Sequence, residues 1–232
     1  MSSVHTDSDH QYSSCSSRED DKGICMPHGD DDDDAVDDHV DVVKPNADSF
    51  IKTYKPAPAT ITTARDHLEW TGDAGGIVIN GTEYKLEQCH WHVPAEHTFN
   101  GTRYDMEMHI VHTNSSGDNA VIGVLYKFGA PDPFLERLYP YIISGDDTEE
   151  GTDVGIVDPF DIQFDSKKYY RYNGSLTTPP FSENVVWTVI KKVNTVSREQ
   201  VRAIQNAGFA GDARPIQPLN GRKVYLIKPK AC

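Results

Sequence analysis

His90 and His92 stand two residues apart in the run EYKLEQCHWHV, and His109 follows in RYDMEMHIVHT. Both runs alternate in the manner of strands, and a spacing of two sends His90 and His92 out from one face. A turn near Asn100 and Gly101 joins the runs, so antiparallel pairing would carry His109 to the other two. Three neutral imidazoles suit Zn2+ and leave the fourth corner of a tetrahedron for water. The ion lowers the pKa of that water toward about 7, which makes a hydroxide available for a small electrophile. Gln88 and Glu107 each precede a histidine by two, on the same faces, where an amide oxygen and a carboxylate can accept the outer N–H of a ligand. Cys89 points to the opposite face and is not counted as a ligand.

Taken alone, a His-x-His pair is as often an ordinary core or surface feature. His-x-His followed by a strand histidine also serves iron or manganese β-barrels, including non-haem oxygenases. Those sites need a further carboxylate or histidine, and none stands out here. Metal identity and redox activity separate that reading from zinc chemistry.

The elements that must position these residues can be read from residue 49 onward. GGIVING is a strand and a turn, EYKLEQCHWHV a second strand, FNGT a turn and RYDMEMHIVHT a third strand. After the turn SSGD, AVIGVLYKFG is a nearly continuous apolar strand, the pattern of burial on both faces. PDPFLERLYPYI predicts a short helix with Phe134, Leu135 and Leu138 on one side. NVVWTVIKKV is a strand, SREQVRAIQNAG a helix capped by Ser197 with Gln200 three residues on, and GRKVYLIKP a last strand. The expected fold is mainly β within a mixed α+β class: a central twisted, largely antiparallel sheet with short peripheral helices. There is no internal repeat and no nucleotide-binding glycine loop.

Residues 1–47 differ in texture. They are rich in Ser and Asp and include the unbroken acidic run Asp30 to Asp34, so a solvated, disordered acidic tail is expected, with the folded domain at 48–232. Across all 232 residues, 36 acidic side chains face 22 Lys and Arg, a formal charge of -14 that argues against nucleic acid as a partner. No apolar run is long enough for a transmembrane segment, and MSSVHTDSDHQYSS has neither the basic start nor the apolar stretch of a signal peptide. Sequons at Asn80, Asn100, Asn114 and Asn173 pull the other way, toward a secretory route, and compartment stays open. Cys15, Cys25, Cys89 and Cys232 form no zinc-ribbon or CxxC pattern.

QCHWHVPAEHTFNG followed by RYDMEMHIVH closely resembles the zinc core of alpha-type carbonic anhydrases, particularly the plant-like branch. NGSLTTPP resembles that family's catalytic loop and ARPIQPLNGRKVYL its closing segment, and the likeness runs in order from about Tyr54 to Pro229. The resemblance implies His90, His92 and His109 as Zn2+ ligands and Gln88 and Glu107 as the residues that orient them. It implies that Thr177 hydrogen-bonds to zinc-bound hydroxide and that Glu96 accepts the proton of that threonine. Thr178 is implied as a neighbour of substrate or bicarbonate, and Val111, Val121, Leu176 and Trp187 as the apolar wall for CO2. The reaction implied is reversible hydration of CO2 to bicarbonate and a proton, by a lyase.

Three departures bear on that expectation. The family's N-terminal stretch, with its tryptophan, first cysteine and QSPI-like segment, is not recognisable before Tyr54. The region that carries the family's proton-shuttle histidine reads TTARDHLEW, leaving His67 as the candidate shuttle. Phe181 stands where secreted relatives place a disulfide cysteine. The alternative function is therefore a low-activity or non-catalytic relative used for storage or binding.

Overall fold

The computed structural model describes residues 50–62, 64–144, 150–164, 167–209 and 213–228, with the backbone of Cys25–Met26 and Val40–Val43. In chain order the first strands are β1 (Cys25–Met26), β2 (Val40–Val43), β3 (Phe50–Lys52), β4 (Ala57–Thr62), β5 (His67–Trp70) and β6 (Gly76–Ile79). β7 (Thr82–His92), β8 (Thr98–Phe99), β9 (Thr102–Arg103), β10 (Met106–Thr113) and β11 (Asn119–Phe128) follow. Helix α1 (Pro133–Ser144) precedes β12 (Thr152–Val157), β13 (Tyr169–Ser175), β14 (Glu183–Ile190) and β15 (Asn194–Val196), and helix α2 (Arg198–Asn206) precedes β16 (Val224–Ile227).

Among the described residues the main sheet has 13 strands, ordered β12-β4-β5-β7-β10-β11-β14-β13-β16-β2 along its length. Most neighbours are antiparallel; β11 runs parallel to β14 and β15, and β16 parallel to β2. This is the expected mixed α+β class with a largely antiparallel sheet and short peripheral helices. β2 extends the sheet into the stretch read from sequence as tail, at the alternating Val-Asp-Val-Val. The acidic run Asp30 to Asp34 lies outside the described residues.

β11 is buried from Ala120 to Tyr126, which is why its sequence is apolar at consecutive positions. The strand pattern also divides the core. One cluster packs Leu68, Cys89, Trp91, Met108, Ile110 and Ile122 together, and another holds Val121, Leu125, Tyr172, Trp187 and Val189. Consecutive residues of β10 and β11 thus serve opposite faces. Buried Phe134, Leu135, Leu138 and Ile142 turn α1 toward the core. Ser197 closes a capping box with Gln200 at the start of α2, as its sequence predicts. The Gln200 amide also reaches Asp132, accepting from its N–H and donating to its carbonyl, both at 2.9 Å, and so ties the entry of α1 to α2.

β13 has no counterpart in the sequence reading. Its residues YYRYNGS carry aromatic, charged and amide side chains without clean alternation, and their tail opens the loop-like NGSLTTPP. Pairing with β14 on one side and β16 on the other makes it a strand.

Candidate metal centre

β10 pairs antiparallel with β7, with His109 opposite His90 and Glu107 opposite His92. Directly opposed residues share a face, so this register gathers the three imidazoles on one side of the sheet. Each offers a ring nitrogen, and the three nitrogens lie within 4.8 Å of one another. Ring centroids are 4.9 Å apart for His90 and His92, 5.1 Å for His90 and His109, and 4.6 Å for His92 and His109. His92 and His109 are buried and His90 is half-buried, so the site opens on the His90 side.

The outer nitrogens decide what faces inward. His90 Nδ1 donates to Gln88 Oε1 at 2.8 Å, which leaves the Nε2 lone pair for an ion. His109 donates from Nε2 to Glu107 Oε1 at 2.9 Å, so its Nδ1 is the ligand atom. His92 Nδ1 lies 3.5 Å from Glu96 Oε1. Burial first, then the neighbouring imidazoles of His109, His92 and His67, hold His90 well below its ordinary pKa, in the neutral form that ligates. A convergent set of three imidazoles, with the tautomers of His90 and His109 fixed by their outer partners, fits a metal ion of borderline softness.

Behind the triad lies a hydrogen-bond network that the sequence did not disclose. Glu107 is fully buried. Its Oε1 accepts from His109 and, at 2.6 Å, from His97 Nδ1; its Oε2 accepts the backbone N–H groups of Glu96 and His97, each at 2.9 Å. His97 Nε2 in turn accepts from the Tyr172 hydroxyl at 2.6 Å. Burial alone would raise the Glu107 carboxyl, but His97, His109 and their hydrogen bonds outweigh it and hold the group well below the carboxylate range. A carboxylate with four donors has one arrangement, and so does the histidine it holds.

Room for that carboxylate comes from the next strand. Gly123 of β11 faces His109 in register, and a Cβ there would stand 2.9 Å from Glu107 Oε1.

A match to the model of the eukaryotic-type carbonic anhydrase family covers residues 59–228. The chain belongs to that family. It is 49% identical over 187 residues to alpha carbonic anhydrase 4 of Arabidopsis thaliana, covering 78% of this chain and 69% of the relative. With alpha carbonic anhydrase 6 of the same plant it shares 52% over 163 residues, covering 69% of this chain and 61% of that one. Among solved structures, dioscorin complexed with ascorbate superposes with a TM-score of 0.75 at 34% identity, covering 83% of each chain. The alpha-carbonic anhydrase of Thermovibrio ammonificans, in complex with the inhibitor sulfanilamide, gives 0.66 at 33% identity, covering 81% of this chain and 82% of that one.

In this carbonic anhydrase the remaining expected residues fall around the triad as follows. Val121, Trp187, Val111 and Leu176 meet in one apolar cluster, with the Trp187 ring edge-on to His109 at 4.8 Å. Thr178 is exposed. Glu96 and Thr177 both line a cavity of about 240 Å³ with Tyr172, Ser175, Arg214 and Arg222. The expected hydrogen bond between Thr177 and Glu96 is not formed: Glu96 Oε1 accepts the Arg214 N–H at 2.6 Å, and buried Oε2, 4.0 Å from His109 Nε2, has no hydrogen-bond partner among the described residues. Arg214 also reaches the Thr177 loop, donating from Nη1 to Ser175 Oγ at 3.3 Å and placing its guanidinium 4.2 Å from the Phe181 ring centre. Phe181 thus has an arginine stacked on its ring. His67 pairs with His90 across β5 and β7, on the same face, and its ring donates from Nδ1 to the Arg65 carbonyl at 2.6 Å.

Sequence reasoning missed His97, Tyr172, Gly123 and Arg214. The only local signal was His97 itself, a third histidine within eight residues of His90.

Proposed function

We propose that this protein is a zinc enzyme that interconverts carbon dioxide and bicarbonate, with His90, His92 and His109 as the ligands. The observation that carries the reading is the convergence of three ring nitrogens whose outer nitrogens are already committed at His90 and His109. A zinc ion held there supplies a Lewis acid that makes a hydroxide nucleophile available near neutral pH.

The rest is the work of this chain's own side chains. Val111, Val121, Leu176 and Trp187 offer an apolar wall, suited to a nonpolar gas and poorly suited to competing polar molecules. Glu96 Oε2 is a buried acceptor in want of a donor, and Thr177 lines the same cavity. A Thr177 O–H donated to Glu96 would leave the threonine oxygen as an acceptor only, able to orient a bound nucleophile by its proton. Thr178, exposed beside it, is assigned the holding of bicarbonate. His67, on the face of His90 with its Nδ1 already donating, is assigned the proton exit.

Stopped-flow CO2 hydration by zinc-reconstituted protein, at varied buffer concentration, tests this reading. Activity that is absent in His109→Ala and inhibited by sulfanilamide supports it. Turnover limited by buffer in His67→Ala but not in the parent chain supports the proton exit. A folded, zinc-loaded protein with no hydration activity overturns it in favour of storage or binding.

A further inference from the structure

Four Asn-x-Ser/Thr sequons are spread over the chain, and the reaction accounts for none of them. The structure treats the four very differently. In the β6–β7 hairpin, Ile79 pairs with Thr82, so Asn80 and Gly81 form a two-residue loop with φ of 49° and 84°. In the β8–β9 hairpin, Phe99 pairs with Thr102, and Asn100 and Gly101 form the same loop with φ of 48° and 75°. Two positive φ angles at a two-residue loop are the type I′ turn, which Asn-Gly adopts at little cost. Asn80, Thr82, Asn100 and Thr102 are all exposed. Both sequons therefore present asparagine and threonine together at an open hairpin tip.

Asn114 is bound into its own turn. Its Oδ1 accepts the N–H groups of Ser116 and Asp118, both at 2.9 Å, and its Nδ2 donates to Asp118 Oδ2 at 3.0 Å. The amide that would carry a modification is the one that closes the β10–β11 turn. Asn173 is exposed but lies within β13, paired to Val186 of β14, in a strand that β16 flanks on its other edge. Next to it, Gly174 is packed so closely that a Cβ would stand 2.7 Å from the Tyr172 ring and 3.0 Å from Trp187. The Ser175 hydroxyl of that sequon donates to the Leu176 carbonyl at 3.0 Å and accepts from Arg214. Its backbone and hydroxyl are both bound into the sheet and the Thr177 loop.

We propose that Asn80 and Asn100 are acceptors for N-linked glycan, and that Asn114 and Asn173 are not. The donor is an oligosaccharide on a lipid pyrophosphate. A bond forms between the asparagine Nδ2 and the sugar's anomeric carbon, the bond from that carbon to the pyrophosphate oxygen breaks, and Nδ2 gives up one proton as the lipid pyrophosphate leaves.

The test is to express the full chain behind a cleavable secretory leader in a eukaryotic host and map the secreted, folded protein. Enzymatic deglycosylation in heavy-oxygen water marks each occupied asparagine by mass. Labels at Asn80 and Asn100, with none at Asn114 and Asn173, are the expected result. Thr82→Ala and Thr102→Ala remove the acceptors while keeping both Asn-Gly turns, so each should shed one glycan and the pair should leave a single unglycosylated band with an unchanged circular dichroism spectrum. Occupancy at Asn114 or Asn173, or secreted folded protein bare at Asn80 and Asn100, overturns the proposal.

Discussion

His109 and His112 stand three residues apart on β10, both buried, yet they lead different lives. His109 faces two imidazoles and gives its outer N–H to a carboxylate. His112 lies beyond a bulge in the β7 pairing, among the residues of the opposite face. Its Nδ1 donates to the Ala120 carbonyl at 3.2 Å and its Nε2 accepts the Tyr54 hydroxyl at 2.8 Å, with the two rings stacked at 5.8 Å. Both of its nitrogens are spent inside the protein. A buried histidine is a ligand only when one nitrogen is left over and points at others in the same condition. Burial and residue type do not separate the two; the partner of the second nitrogen does.

The comparison is broken most sharply by truncation. His109→Ala should lower CO2 hydration by about 10³-fold or more through loss of the metal, while His112→Ala should keep the rate and lose about 3 kcal/mol of stability. Stopped-flow rates and urea midpoints on both variants check this.

Acid should distinguish the pair next. Burial holds His112 at a pKa of about 4, against an ordinary value of 6.5, so the folded chain keeps it neutral. As pH falls below 6.5 the unfolded chain takes up the proton first. Stability should therefore drop by up to about 3 kcal/mol between pH 6.5 and 4, then level off with respect to this group. Urea midpoints against pH should lose much of that slope in His112→Asn.

Glu107→Gln keeps the shape but cannot accept at all four donors, and should weaken metal binding about 10- to 100-fold in a chelator competition. Gly123→Ala drives a methyl group against the same carboxylate, at an expected cost of about 2 kcal/mol together with weaker metal binding. Tyr54→Phe, the matching change on the other face, should cost about 1 kcal/mol and leave metal affinity alone.

Much of the centre was legible because it is local in sequence. A period of two within β7 and β10 places His90, His92 and His109 on one face, and puts Gln88 and Glu107 beside them for the same reason. Burial of β11, the cap of α2 and the apolar faces of both helices followed from composition and spacing. What stayed hidden depends on residues far apart in the chain. Tyr172 meets His97 across 75 positions and Arg214 meets Glu96 across 118. No spacing rule links such pairs, since a loop brought to distant segments by the tertiary fold sets them. β13 was missed for a related cause: its mixed residues read as a strand only once β14 and β16 flank it.

One position carries this furthest. Gly123 touches no substrate, holds no proton and contributes no atom beyond the backbone, yet its missing methyl is the space that Glu107 occupies. An engineer redesigning the metal preference of this site would naturally vary the ligands and the groups bonded to them. The shape of the vacancy on the adjacent strand limits every such design, because any larger carboxylate geometry, or any different one, must first find its volume there.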